Sequence, residues 1–174
     1  MTHPHDTEIL DLVDGRDTVI RQIARSDFPR WEGRGHLRVV DCFLRNDRGE
    51  LWIPRRALDK RLAPGGLDYS VGEHVLSGED YPAAAVRGFA EELNLTVTPA
   101  DLTYLAKIPP APGKPFFQAL YLLATDTAPR YNPADFTGFT WLTPEDLLTR
   151  IERGDPAKPS LAATVRHLLH LTRP

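Results

Sequence analysis

The 174-residue sequence is poor in thiols, with Cys42 as its single cysteine. That excludes an internal disulfide and a structural zinc site built on cysteines, and it points to a reducing cytoplasm. No apolar run approaches the roughly 20 residues of a membrane-spanning helix, and Met1 to Arg16 lacks the apolar stretch of a signal peptide. An excess of one charge is missing too. Lys and Arg number 21 against 24 Asp and Glu, a formal charge of -3. No global field therefore attracts nucleic acid, and an anionic ligand has to be held by a local cluster. What is present, 41% hydrophobic and 26% charged residues, suits one compact domain with a small appendage. The 16 prolines are scattered singly and in short groups, which predicts many ordered turns rather than a disordered tract.

Met1 to Thr7 carries nothing to order it and reads as a frayed end. Glu8 to Val13 and Thr18 to Ile23 flank the turn Asp14-Gly15-Arg16-Asp17 and predict a small N-terminal hairpin. The division expected is a tail and hairpin over 1–35 and a main domain over 36–174. Leu37 to Leu44 reads as a strand returning through Asn46-Asp47-Arg48-Gly49 into Leu51 to Pro54. Between Tyr81 and Leu95, Val86, Phe89, Ala90 and Leu93 recur at helical spacing and form the expected core face, with Pro82 in the first turn. Leu102 to Ile108 and Phe116 to Ala124 read as strands around a proline-rich loop, and Phe139 to Leu142 as a last one. Thr143-Pro144-Glu145-Asp146 opens a helix to about Arg153, and Leu161 to about Leu171 forms another. Strands, helix, strands, helices in that order predict an α+β or mixed α/β sandwich without regular βαβ repeats.

Chemistry concentrates between Tyr69 and Leu95, which read as a short strand, a loop with Gly72 and Gly78, and a helix. Glu91 and Glu92 share the helix face opposite the expected core, one turn after Arg87. Adjacent carboxylates repel, and a hard divalent cation that takes oxygen ligands offsets the repulsion. Taken alone, the pair reads as a solvated helix surface more readily than as a metal site, since Arg87 and Glu91 have ordinary i,i+4 spacing.

The wider pattern is more specific: Ser70-Val71-Gly72-Glu73-His74-Val75, Gly78-Glu79, seven residues to Arg87, then Glu91-Glu92-Leu93-Asn94-Leu95. It resembles the signature of the Nudix hydrolase family, which is Gly, five residues, Glu, seven residues, then Arg-Glu-aliphatic-any-Glu-Glu-any-Gly-aliphatic. Aligned on Glu79, Arg87, Glu91 and Glu92, the family's first Gly falls on Glu73, the Glu after its Arg on Gly88, and its late Gly on Asn94. Asn is the next best residue after Gly for a left-handed helix end. Gly88 removes a carboxylate that in the family helps hold metal, and Glu73 is the candidate to replace it. The resemblance runs from about Glu8 to about Leu147. Through Arg55-Arg56-Ala57, Pro64-Gly65-Gly66 and Asp68-Tyr69-Ser70-Val71-Gly72 it is similar to the branch that includes isopentenyl diphosphate isomerase. The isomerase's catalytic cysteine would stand at Val71, so isomerase chemistry looks absent.

The resemblance implies a three-layer α/β/α sandwich and a magnesium-dependent pyrophosphohydrolase, with manganese as the alternative ion. Its substrate would be a small nucleoside diphosphate derivative, such as a nucleoside di- or triphosphate, cut to release phosphate or pyrophosphate. The expected metal ligands are Glu91, Glu92, Glu73 and a backbone oxygen of Gly72 or Glu73, and Glu79 would orient Arg87. Asp135 is the first candidate for general base and Glu73 the second, while an Asx-turn is the structural alternative for Asp135. Arg55, Arg56 and His74 are candidates for phosphate, and Phe117 for the organic part, with at most one of Phe116 and Phe117 facing a ligand. Two other readings stay open: a non-catalytic nucleotide-binding or regulatory module, and a diphosphate isomerase. The expected protein is cytoplasmic and a monomer rather than a homodimer, and it binds neither nucleic acid nor membrane.

Overall fold

The computed structural model describes residues 4–172. Pro4–Thr7, within the stretch expected to fray, forms a 3-10 turn whose Asp6 accepts from Arg61 at 3.0 Å, while Met1 to His3 lie outside the described residues. The N-terminal hairpin pairs β1 (Ile9–Val13) with β2 (Val19–Ala24). Its turn is set by Asp14, whose Oδ1 accepts from the amides of Arg16 and Thr18 at 2.8 and 2.9 Å. A 3-10 helix over Arg25–Arg30 follows, where the sequence reads as linker.

The main sheet has six strands: β3 (Leu37–Arg45), β4 (Leu51–Arg56), β5 (Val71–His74), β6 (Leu102–Ile108), β7 (Phe116–Ala124) and β8 (Phe136–Leu142). Its order is β6-β7-β3-β4-β8, with β5 paired to β3. The sheet is mixed, since β3 and β7 run parallel from Leu37–Phe116 to Arg45–Ala124. The expected β3–β4 hairpin closes through one register pair only, Arg45 with Leu51. Beyond it the strands part: β4 runs along β8, and β5 takes the vacated edge of β3. Ser70 fills the fork. Fully buried, its hydroxyl donates to the Trp52 carbonyl at 2.7 Å and accepts from the Leu44 amide at 2.9 Å, satisfying backbone groups that neither strand can pair. Gly72 therefore lies within a strand, not in a loop as expected, and its register partner is Asp41.

Alternation along the strands divides the core between two faces. On one, Val40, Cys42 and Leu44 of β3 and Trp52 of β4 pack against Phe89 and Leu93 of α1 (Tyr81–Leu93). On the other, Phe43, Leu51 and Ile53 meet Leu147 of α2 (Pro144–Glu152) and Leu161, Val165 and Leu168 of α3 (Leu161–Thr172). The result is an α+β arrangement, a sheet between helices with the two-stranded hairpin beside it. Leu10, Leu12 and Ile23 of the hairpin share a buried cluster with Leu37. The core face of α1 differs from the expectation. Ala84, Ala85, Gly88, Phe89 and Leu93 are buried, whereas Ala90 is exposed and Val86 half-buried. No helix among the described residues is long and apolar enough to cross a membrane.

Candidate active site

Helix α1 is held at both ends. The Asp80 carboxylate accepts from the Ala83 amide at 2.9 Å, and Asn94 ends the helix in the left-handed region at φ 51°, the role expected of it. The Glu92 carbonyl accepts from the Asn132 amide at 2.7 Å, which docks the 130s loop, and Asp135 with it, on the end of the helix.

Along the helix face, Arg87 joins the strand to the loop before the helix. Its Nε donates to Glu79 Oε1 at 2.9 Å, one terminal nitrogen to Glu79 Oε2 at 3.1 Å and the His74 carbonyl at 2.8 Å. The other terminal nitrogen reaches Glu73 at 3.2 Å and Glu91 at 3.3 Å. Glu79 in turn accepts from the Leu76 amide at 2.9 Å. Arg87 is thus a strut between β5 and α1, and Glu79 is its orienting partner.

The substitution at Gly88 has a geometric reason. A Cβ there would come within 2.5 Å of Val71 Cγ1 and 2.8 Å of Glu73 Cγ. Strand β5 lies so close to α1 that no side chain fits at this turn of the helix, and the Glu73 side chain covers the position. The signature's glycine and glutamate positions are thus filled here by Glu73 on the strand and Gly88 on the helix.

Gly72, Glu73, His74, Glu92 and Asp135 line one pocket of about 230 Å³. Arg56, Lys60, Arg61 and Lys158 line it as well, so acids and bases meet across it. Glu92 accepts from the Gly72 amide at 3.1 Å, so the contact shown by Gly72 is its N–H rather than the expected carbonyl. Burial, and then the charge of Glu73, push the Glu92 carboxyl well above the usual carboxylate range. Burial also raises Glu73, although the Arg87 guanidinium opposes it. Across the pocket Lys60 donates to Asp135 at 2.6 Å. Asn132, not Asp135, makes the Asx contact, accepting from the Ala134 amide at 3.0 Å. Arg56 is paired with Asp68, and Lys158 lies 3.4 Å from Asp68 and 3.8 Å from Asp41.

Several expected residues lie elsewhere. The Glu91 side chain is 54% exposed, pairs with Arg87, and does not line the pocket. Arg55 is turned to Asp155, giving two hydrogen bonds at 2.8 and 2.9 Å, and to the Gly65 carbonyl, where it braces two loops. Phe117 is buried edge-on to His36, whereas Phe116 lines the neighbouring cleft. Strand parity separates the two rings. Phe116 shares its face with Gln118 and Leu120, and Phe117 shares the other with Ala119 and Tyr121. Asp68, Lys158, Asp41 and Gln118 are additions that the sequence reading passed over. Of these, Asp41 alone left a local trace, a carboxylate inside the apolar run Val39 to Leu44.

Among the described residues, no group of three or more His, Cys, Asp or Glu side chains is already gathered for a metal. The donor chemistry nonetheless suits a hard cation. Glu73 and Glu92 are two carboxylates whose pKa values are both raised, and the one guanidinium that reaches Glu73 is shared with Glu79, Glu91 and the His74 carbonyl. A divalent ion would supply the further countercharge that one shared guanidinium does not give the pair. Thiol chemistry is a poor fit. Val71 stands at the isomerase cysteine position, and Cys42 is fully buried with its thiol pushed well up by burial.

Comparison with known proteins agrees with this geometry. The NUDIX domain family model matches residues 35–164. A Nudix hydrolase of Deinococcus radiodurans is 47% identical over 161 residues, 91% of this chain and 92% of the relative. An isopentenyl-diphosphate Delta-isomerase of Kocuria rhizophila is 30% identical over 75% of this chain and 76% of its own. A crystal structure of a Deinococcus radiodurans protein superposes with a TM-score of 0.83 at 45% identity, covering 95% of this chain and all of that one. A MutT protein from Methanosarcina mazei, 16% identical over 80% of this chain and 96% of that one, shares the fold at a TM-score of 0.62. With the strut, the half-buried acids and the matched domain in one place, the chain belongs to the Nudix family, among its hydrolases.

Proposed function

We propose that the protein is a divalent-metal-dependent pyrophosphohydrolase that cuts the phosphoanhydride of a nucleoside diphosphate derivative, a nucleoside di- or triphosphate, releasing phosphate or pyrophosphate. The observation that carries this reading is the pocket in which half-buried Glu73 and Glu92 face Arg56, Lys60, Arg61 and Lys158. Acids alone would hold a cation and bases alone an anion; the two together suit a cation bound with a polyphosphate.

Glu73 and Glu92 are the side chains that would hold the ion, with magnesium expected and manganese as the alternative. Bound there, such an ion neutralises phosphate charge and lowers the pKa of a water. The chain's own residues do the positioning. The Gly72 N–H fixes one oxygen of Glu92, while Arg87 and Glu79 hold the β5 backbone on the helix. Arg56, Lys60 and Lys158 present donors to phosphate oxygens from the facing wall. Asp135, on the docked loop beside Lys60, is assigned as general base with Glu73 as the alternative. The pH–rate profiles of Asp135→Asn and Glu73→Gln separate the two, because only loss of the base removes the acidic limb.

The test is a screen of nucleoside di- and triphosphates with magnesium, reading phosphate and pyrophosphate release from wild type and Glu92→Gln. Release that Glu92→Gln abolishes supports the reading. Release that it leaves unchanged contradicts the site, and tight binding without release favours a non-catalytic module, the reading that the glycine at position 88 would otherwise recommend.

A further inference from the structure

A second cleft, of about 450 Å³, opens beside the acidic pocket and shares Leu62, Gly72, Glu73, His74 and Lys158 with it. Its walls are different in kind. Val39 and Phe116 come from the sheet, Pro159 from the turn before α3 and Ala163 from the helix's first turn. Yet its floor carries a buried carboxylate, Asp41. Gln118 donates to Asp41 Oδ2 at 2.5 Å, and that amide is oriented at its other end by Lys114 and braced by Thr164 at 3.2 Å. Asp41 Oδ1 has only the Lys158 ammonium nearby, at 3.8 Å, beyond hydrogen-bonding distance. Gly72 keeps this oxygen approachable, since a Cβ there would sit 3.0 Å from Oδ1 and 2.9 Å from Lys158 Nζ, across the threshold between the two cavities.

Resting on the hydrolase reading above, we propose that this cleft holds the organic half of the substrate and that Asp41 is a specificity-determining residue, accepting a hydrogen bond from an N–H edge of a nucleobase. A flat heterocycle suits a cleft of this volume walled by Phe116 and the small residues of α3. An isoprenyl chain does not, because it would bury Asp41 Oδ1 against hydrocarbon with no partner. A site built around a buried acceptor selects strongly for ligands that satisfy it. Burial pushes the Asp41 carboxyl up to about 6.

The test compares ADP, CDP, GDP, UDP, isopentenyl diphosphate and inorganic pyrophosphate as substrates, and the matching nucleoside monophosphates as calorimetric ligands that need no turnover. Wild type is expected to rank the bases by at least about tenfold in kcat/KM and to discriminate against isopentenyl diphosphate. Asp41→Asn should lower the preference for the best nucleoside diphosphate over pyrophosphate by about tenfold or more, with the loss in KM rather than kcat. Ala163→Trp fills the cleft from the exposed surface of α3 without touching the core, so it asks the same question should Asp41→Asn fail to fold. Base-ranked monophosphate binding that these variants weaken, with no phosphate released from any diphosphate, would support the cleft assignment and remove the hydrolase. Phosphate release with no ranking of bases, or with the ranking and KM unmoved in Ala163→Trp, would overturn the cleft assignment and leave the hydrolase standing.

Discussion

At the scale of single residues, the pairing of Gly88 with Glu73 explains why a signature glutamate is missing. Its replacement is enforced by packing, because Val71 Cγ1 occupies the space of a Cβ at position 88. Gly88→Ala should therefore destabilise the protein by about 1–3 kcal/mol despite the better helix propensity of alanine. In a Val71→Ala background the same change should cost clearly less. Urea unfolding of the four proteins of this double-mutant cycle reads the coupling directly, and purely additive costs would disprove the contact. The two neighbouring glutamates should also separate. Glu92 is enclosed in the pocket and Glu91 is turned to Arg87 outside it. Glu92→Gln is expected to lower turnover by more than the roughly 10–100-fold typical of an outer-shell partner, and Glu91→Gln by about 10-fold at most. Equal losses in kcat would show that both acids act on the substrate.

At the scale of elements, one carboxylate ties the turn of the N-terminal hairpin to the site-bearing part of the fold, beside the cluster that Leu10, Leu12 and Ile23 share with Leu37. Asp17, at φ 65°, accepts from Arg38 at 2.6 Å, Lys107 at 2.8 Å and the Tyr81 hydroxyl at 2.9 Å, so it joins the hairpin turn to β3, β6 and the start of α1. Asp17→Ala leaves Arg38 and Tyr81 half-buried without this partner and should cost about 2–4 kcal/mol in denaturant unfolding. Asp17→Asn, which tolerates the left-handed backbone, should cost less. Burial raises the Asp17 carboxyl, but Lys107, Arg38 and Tyr81 outweigh it and hold it below the usual range. Its contribution is thus present above the ordinary carboxylate pKa and lost as acid protonates it. Amide exchange in β1 and β2 should accordingly rise first in acid, and uniform protection across both sheets would count against this.

The elements themselves were largely legible. The bounds of β6 and β7 and the start of α3 follow from alternation, helical spacing and proline placement. The partnership of β3 was not, because the turn after Leu44 signals a hairpin locally while the fork depends on Ser70, distant in sequence and buried between two strands. Arg87, Glu79 and Glu92 were legible because one helix and the loop before it carry them. Lys158 and Asp68 were not, since they reach the pocket only through the tertiary fold. Alternation tells that Phe116 and Phe117 diverge, not which of them faces the cleft, which is why the expectation falls on Phe117 and the cleft is lined by Phe116.

At the scale of the molecule, the site is a region where charges are enclosed, and enclosure has a thermodynamic consequence. The Asp41 carboxyl, pushed up to about 6 by burial from an ordinary 3.8, binds its proton more tightly folded than unfolded. Its stabilising contribution is therefore fully present below the unfolded pKa and lost as pH rises through about 6, an effect on the order of 2–3 kcal/mol. Asp41→Asn should remove that loss. Its stability relative to wild type, from urea titrations at pH 4.5 and 7.5, should improve toward the higher pH, and a difference independent of pH would contradict the assignment. The proposed binding of a polyphosphate by a protein of formal charge -3 requires cations gathered locally, and Arg56, Lys60, Arg61 and Lys158 line the one pocket together.

The central claim, that two enclosed glutamates bind a divalent ion where a diphosphate is cut, is tested most directly by phosphate release from nucleoside diphosphates as magnesium is titrated, in wild type, Glu73→Ala and Glu92→Gln. Saturable release in wild type, a higher magnesium requirement in Glu73→Ala and near-abolished release in Glu92→Gln is the predicted result. Release independent of added magnesium after chelation, or identical magnesium curves for all three proteins, would contradict it.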